Sequence, residues 1–124
     1  MKSEGAIQII SNAHNLEILS IAKNYIKSDC GKHLQSLLKK SKSIKKLHLE
    51  FNELMTPGAK CLAQGIAKNT SLELLNIKGN VIGDQGIILI AQALKESKMN
   101  LKELDISLNE IGPQGFSALC EVLP

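Results

Sequence analysis

The sequence predicts an α/β solenoid, with a parallel sheet on one side and helices on the other, and three observations predict it. Leu16, Ile44, Leu72 and Leu101 open four similar segments at spacings of 28, 28 and 29 residues. Each segment begins with strand-like alternation and continues with apolar residues four apart, the spacing of one helix face. An asparagine recurs eight residues into every segment, at Asn24, Asn52, Asn80 and Asn109.

The elements follow in chain order. Residues 1–15 read as the helix of a preceding half repeat, with Ala6 and Ile10 in the helix columns. Repeats then occupy 16–43, 44–71, 72–100 and 101–124, the last one truncated. Leu19, Leu47, Leu75 and Leu104, with Ile21, Leu49, Ile77 and Ile106 two places on, predict short strands with one buried face. Ile26, Leu54, Ile82 and Ile111 anchor the turns. Leu34, Leu62, Ile90 and Leu119 pair with Leu38, Ile66, Leu94 and Leu123 on the helices. Ser28, Thr56 and Asp84 share a column and are expected as helix N-caps, with Pro57 and Pro113 in first turns. Gly58, Gly86 and Gly115 share another column, where a side chain would crowd the helix entrance. The first copy has Cys30 there and Gly31 next, which predicts an irregular first turn.

A single such unit cannot bury its apolar face, and stacking makes the core continuous. The asparagine column fits the same logic. Its amide carries donors and an acceptor, so at a buried strand end it satisfies turn groups that would otherwise cost about 1–3 kcal/mol each. These four asparagines are therefore expected to be structural.

The pattern LxxLxLxxNxIGxxG followed by a helix, as in "LELLNIKGNVIGDQGIILIAQALKES", resembles the ribonuclease-inhibitor-like leucine-rich repeat family over residues 16–124. The resemblance implies one leucine-rich repeat domain over 1–124, a horseshoe segment with strands on its concave face and helices on its convex face. It also implies a binding scaffold whose members differ in what they bind. On that face fall Ser20, His48, Asn76 and Asp105, then Ala22, Glu50, Lys78 and Ser107, then Lys23, Phe51, Gly79 and Leu108. His48, Glu50, Phe51, Asn76, Lys78, Asp105, Ser107 and Leu108 are the expected partner-binding set. Phe51 and Leu108 on either side of Gly79 suggest a shallow notch for an apolar anchor, unless the ring folds over its own turn. Glu50 beside Lys78 reads as a surface ion pair.

Composition narrows the chemistry. All 15 basic residues are lysine, and the formal net charge is +3. Lysine attracts phosphate, yet without arginine forks and with aromatics confined to Tyr25, Phe51 and Phe116, nucleic-acid binding is disfavoured beyond weak polyanion attraction at lysine-rich edges. Some relatives of this fold activate GTPases, and regulation of a GTPase stands as a fold analogy only, because no arginine finger is available. The tract "LKKSKSIKKL" divides at the repeat boundary. Lys39 and Lys40 close one helix, Lys42 lies in the turn, and Lys45 and Lys46 open the next strand with Glu73 expected beside Lys45.

No catalytic constellation emerges. Cys30 and His33 lie three apart without a third orienting group, and Cys30 fills a repeat column. The stretch lacks the residues of a phosphate-binding loop. His14, His33 and His48 occupy different repeat positions, so neither a metal site nor a cofactor is expected. Three cysteines without a CxxC point to a reducing, cytoplasmic setting, which would be the host cytosol for a secreted bacterial effector. No apolar run reaches membrane-spanning length. The sequence begins in a helix and stops within the fourth one, so the strand near Leu104 is expected as an open edge prone to self-association. The reading is a non-enzymatic module that binds another protein, as part of a sensor, scaffold or effector.

Overall fold

A computed structural model describes residues 3–23, 26–97 and 100–122. Helix α1 spans Ser3–Ser11, and strand β1 (Ile18–Ser20) leads through a 3-10 turn at Ser28–Cys30 into α2 (Gly31–Lys40). Then come β2 (Lys46–His48), α3 (Met55–Ile66), β3 (Leu74–Asn76), α4 (Gly83–Glu96), β4 (Glu103–Asp105) and α5 (Pro113–Val122). The 3-10 turn is the irregular entrance expected where Cys30 and Gly31 replace the regular glycine.

The strands form a parallel sheet in the order β1-β2-β3-β4. Register follows the repeat: Leu19 lies beside Leu47, Leu47 beside Leu75 and Leu75 beside Leu104. The ladder continues past the strand ends, as Leu49 N–H donates to the Asn76 carbonyl (2.8 Å) and Phe51 N–H to that of Lys78 (2.8 Å). The core lies between sheet and helices and is built from the columns read in the sequence, with Leu47, Leu62, Leu75 and Ile90 fully buried. Ala6 and Ile10 of α1 are also fully buried at the N-terminal end of that core.

Each asparagine of the described column clamps two repeats together. Asn52 Nδ2 donates to the Ile21 and Leu49 carbonyls, Asn80 Nδ2 to Leu49 and Ile77, and Asn109 Nδ2 to Ile77 and Ile106. Each Oδ1 in turn accepts a backbone N–H from the preceding repeat, from Ile26, Leu54 and Ile82 respectively. Shared carbonyls make this a continuous ladder across the stack. Asn24 lies outside the described residues.

A second polar ladder closes the opposite end of the strands, where the helices return. Ser41, Asn69 and Ser97 recur every 28 residues. Ser41 Oγ donates to the His14 carbonyl, Asn69 Nδ2 to the Leu38 carbonyl and Ser97 Oγ to the Asn69 carbonyl. Asn69 Oδ1 also accepts from Leu72 N–H at 2.8 Å, fixing the start of the next strand.

The expected N-caps are corrected by the structure. Thr56 and Asp84 sit inside the first turns of α3 and α4, not ahead of them, and neither helix has a side-chain cap of its own. Their side chains reach the following repeat. Thr56 Oγ1 donates to the Ile82 carbonyl, while Asp84 Oδ1 accepts from Gly112 N–H (2.7 Å) and from Gly115 N–H (3.1 Å) at the entrance to α5. Asp84 thus caps its neighbour's helix, because the stacking offset brings that N-terminus closer than its own. Asp84→Ala is expected to cost about 0.5–2 kcal/mol, with exchange protection falling first in α5, measured by hydrogen exchange and thermal melting.

Candidate interaction surface

The free face of the sheet is built from side chains that alternate away from the core. Parallel register sets Ser20, His48, Asn76 and Asp105 in one row across the strands. His48, Asn76, Glu103 and Asp105, with Leu74, Leu75 and Leu104, line a cleft of about 470 Å³.

Hydrogen bonds order this row. Glu50 Oε2 accepts from Asn76 Nδ2 at 3.0 Å and lies 4.0 Å from His48 Nδ1. Asn76 Oδ1 accepts from the Lys78 backbone N–H. The other Glu50 oxygen, Oε1, is buried and has no hydrogen-bond partner. The expected Glu50–Lys78 pair is replaced by this arrangement. Asn76 offers Glu50 a nearer donor, and Lys78 turns its ammonium toward the Phe51 ring, 5.5 Å from the centroid. Asp105 is held below the usual carboxylate range, first by the Ser107 hydroxyl at 2.6 Å, then by the Ser107 N–H, with Lys78 adding a smaller attraction.

The outermost column of the expected site differs in kind from a strand position. Lys23, Phe51 and Leu108 have φ of 58°, 56° and 55°, and Gly79 has φ of 69°. Every repeat therefore bends through the left-handed region here, at a cost of about 1–2 kcal/mol for each non-glycine residue. Ladder bonds across the bend, Lys23 N–H to Glu50 and Gly79 N–H to Ser107, hold it in place.

No open notch separates Phe51 from Leu108. The Phe51 ring lies over Gly79, so close that a Cβ on Gly79 would stand 2.7 Å from the ring. The ring thus packs on the next repeat. Lys23 and Lys78 place ammonium groups 5.9 and 5.5 Å from its centroid. Phe51 remains 41% exposed and Leu108 69%, which leaves two apolar projections at the rim of the polar row.

Elsewhere the lysine tract separates as its register requires. Glu73, just ahead of β3, bridges Lys45 at 3.6 Å and Lys102 at 3.4 Å at the entrances of the two neighbouring strands, and its pKa is lowered, chiefly by Lys102. Cys30 is fully buried in the core, away from any role as an exposed nucleophile. Among the described residues no three His, Cys, Asp or Glu side chains converge as a metal site would require. Among the same residues no helix is long and apolar enough to cross a membrane.

Strand, left-handed bend and helix, repeated in constant register around a buried asparagine ladder, define an α/β solenoid with an open polar sheet face. The chain belongs to the leucine-rich repeat family, in its ribonuclease-inhibitor-like form. The sequence profile described as "Leucine Rich repeat" matches residues 40–63, 68–91 and 97–120. The chain is 34% identical over 93 residues to mouse (Mus musculus) ribonuclease inhibitor, covering 70% of this chain and 19% of that one. It is 28% identical over 109 residues to mouse NACHT, LRR and PYD domains-containing protein 4E, covering 87% of this chain and 11% of that one. The chain thus spans a small part of the curated relatives it matches. Among solved structures, leiomodin-1 actin-binding site 2 shares the fold, with a TM-score of 0.82 at 18% identity, over 99% of this chain and 72% of that one.

Proposed function

We propose that this chain is a non-catalytic module that docks another protein on its concave strand face, inside the cell, as part of a sensor, scaffold or effector. The observation that carries the reading is the row Ser20, His48, Asn76 and Asp105, set side by side on the sheet face that the core does not use. Around it Glu50, Lys78 and Ser107 supply charge and hydrogen-bonding groups, and Phe51 and Leu108 supply apolar area. Such a mixture of a polar floor and a few apolar projections suits a protein surface better than a small molecule. Resemblance to ribonuclease inhibitor, whose name states an interaction with another protein, supports the same reading.

The test compares wild type with a Glu50→Ala/Phe51→Ala/Lys78→Ala variant in an affinity pull-down, with melting temperatures measured beside it. Selective loss of captured partners from a variant that still melts cooperatively is expected. An identical set of partners from both proteins would reject this face as the docking surface.

A further inference from the structure

The geometry points to a second docking site on the convex side, a groove between α2 and α3 that accepts an extended acidic segment of a partner protein. The groove encloses about 650 Å³ and is lined by Lys32, Lys39, Lys40 and Lys60, with Pro57 and Cys61 among the remaining residues and no carboxylate. The volume falls within the usual range of ligand clefts, about 300–1,000 Å³.

Glycine explains why the groove exists. A Cβ on Gly31 would lie 2.9 Å from the Cys61 Cβ, and one on Gly65 would lie 2.9 Å from the Leu38 Cβ. Both contacts show that α2 and α3 approach with their backbones nearly touching along one line. Long side chains on either side of that line then diverge and leave a trough. All four lysines are exposed. Among the described residues the ion pairs engage Lys45, Lys102 and His48, so no carboxylate within pairing distance neutralises these four ammonium groups.

Placement along the helices sets the spacing of the ligand. Gly31 faces Gly58 and Cys61, whereas Gly65 faces Gln35 and Leu38, so Lys32 and Lys60 mark one end of the groove and Lys39 and Lys40 the other. Seven residues of α2 separate Lys32 from Lys39, which is about 10 Å at 1.5 Å per residue. An extended chain in the polyproline II conformation advances about 9 Å per three-residue turn and returns every third side chain to one face, so carboxylates at every third position meet both ends. Pro57 and Cys61 give the groove an apolar element for a small side chain between them. A nucleic acid would find lysines alone, since the lining has no aromatic ring for base stacking and no arginine. Half of the "LKKSKSIKKL" tract thereby joins lysines distant in sequence, while Lys45 is occupied by Glu73.

The probe is a fluorescein-labelled decapeptide with glutamate at every third position and valine or alanine between, followed by anisotropy at about 150 mM salt, where surface attraction is screened beyond about 8 Å. Saturable binding is expected. A Lys32→Glu/Lys39→Glu variant should weaken it at least about tenfold, and Lys32→Gln/Lys39→Gln should weaken it to a lesser degree. A Lys46→Glu/Lys68→Glu variant, with the same change of net charge, should alter it less than about twofold. Equal weakening by both charge reversals would reduce the effect to net charge and overturn the site. Tighter binding of a ten-residue oligouridylate than of the peptide would overturn the protein assignment. The Glu50/Phe51/Lys78 variant should leave the peptide affinity unchanged, so failure of the concave site and failure of this groove are separately visible.

Discussion

Asn80→Ala is expected to lower stability by about 3–4 kcal/mol, a loss of about 10–15 °C in melting temperature for a domain of this size. Asn80 is fully buried, and its amide holds carbonyls on two successive repeats while its Oδ1 accepts from the Leu54 N–H. Truncation leaves that N–H without its acceptor in the core and opens a small cavity. Asn80→Asp gives no rescue, because a carboxylate would face the Leu49 and Ile77 carbonyls that now accept from the amide. The Leu49 carbonyl also accepts from Asn52. A double Asn52→Ala/Asn80→Ala variant should therefore lose more than the sum of the single variants, since only then is that carbonyl stripped of both donors. Chemical denaturation of the two single variants and the double variant measures the coupling, and strict additivity would contradict a shared ladder.

Gly86→Val is the second large effect, about 3 kcal/mol, read as a fall of about 10 °C in melting temperature. A Cβ at Gly86 would collide with Ile82 Cγ2 and stand 3.0 Å from Ala59 Cβ. Ile82 is fully buried and Ala59 belongs to α3, so relieving the Ala59 contact means parting the helices. The substitution strains the α3–α4 contact, and loss of cooperativity should begin there. At Gly83, where no atom lies within 4 Å of an added Cβ, the penalty has a different source, since φ of 72° disfavours any side chain. Gly83→Ala should then cost only the left-handed penalty of about 1–2 kcal/mol.

Much of this architecture is legible in the sequence because burial imposes one residue type on one column. Leu47 and Leu75, like Asn52 and Asn80, face the same surroundings in successive repeats, so spacing alone locates them. Other features depend on geometry that spacing does not carry. Ser41, Asn69 and Ser97 recur at 28 residues, yet serine and asparagine fill the column interchangeably, because any small polar side chain can reach the carbonyl of the preceding turn.

The left-handed bend is hidden for a related reason. Only Gly79 advertises it, whereas Lys23 and Phe51 adopt the same conformation under constraint from ladder hydrogen bonds and Leu108 repeats it. The notch expected between Phe51 and Leu108 is closed because the Phe51 ring lies over Gly79. Asp84 shows the same limit, for its column is visible while the helix it caps is set by the stacking offset. The convex groove required two helices to be brought side by side before Lys32, Lys39, Lys40 and Lys60 formed one surface.

Docking on the concave face is tested most directly by site-specific photocrosslinking, with a photoreactive residue placed in turn at His48, at Asn76 and at Gln92. The first two positions belong to the sheet face, and Gln92 lies on the helical side in a groove between α4 and α5. Adducts with the same partner protein from positions 48 and 76, and none from position 92, are the predicted result. Adducts from position 92 with none from the sheet face would contradict it.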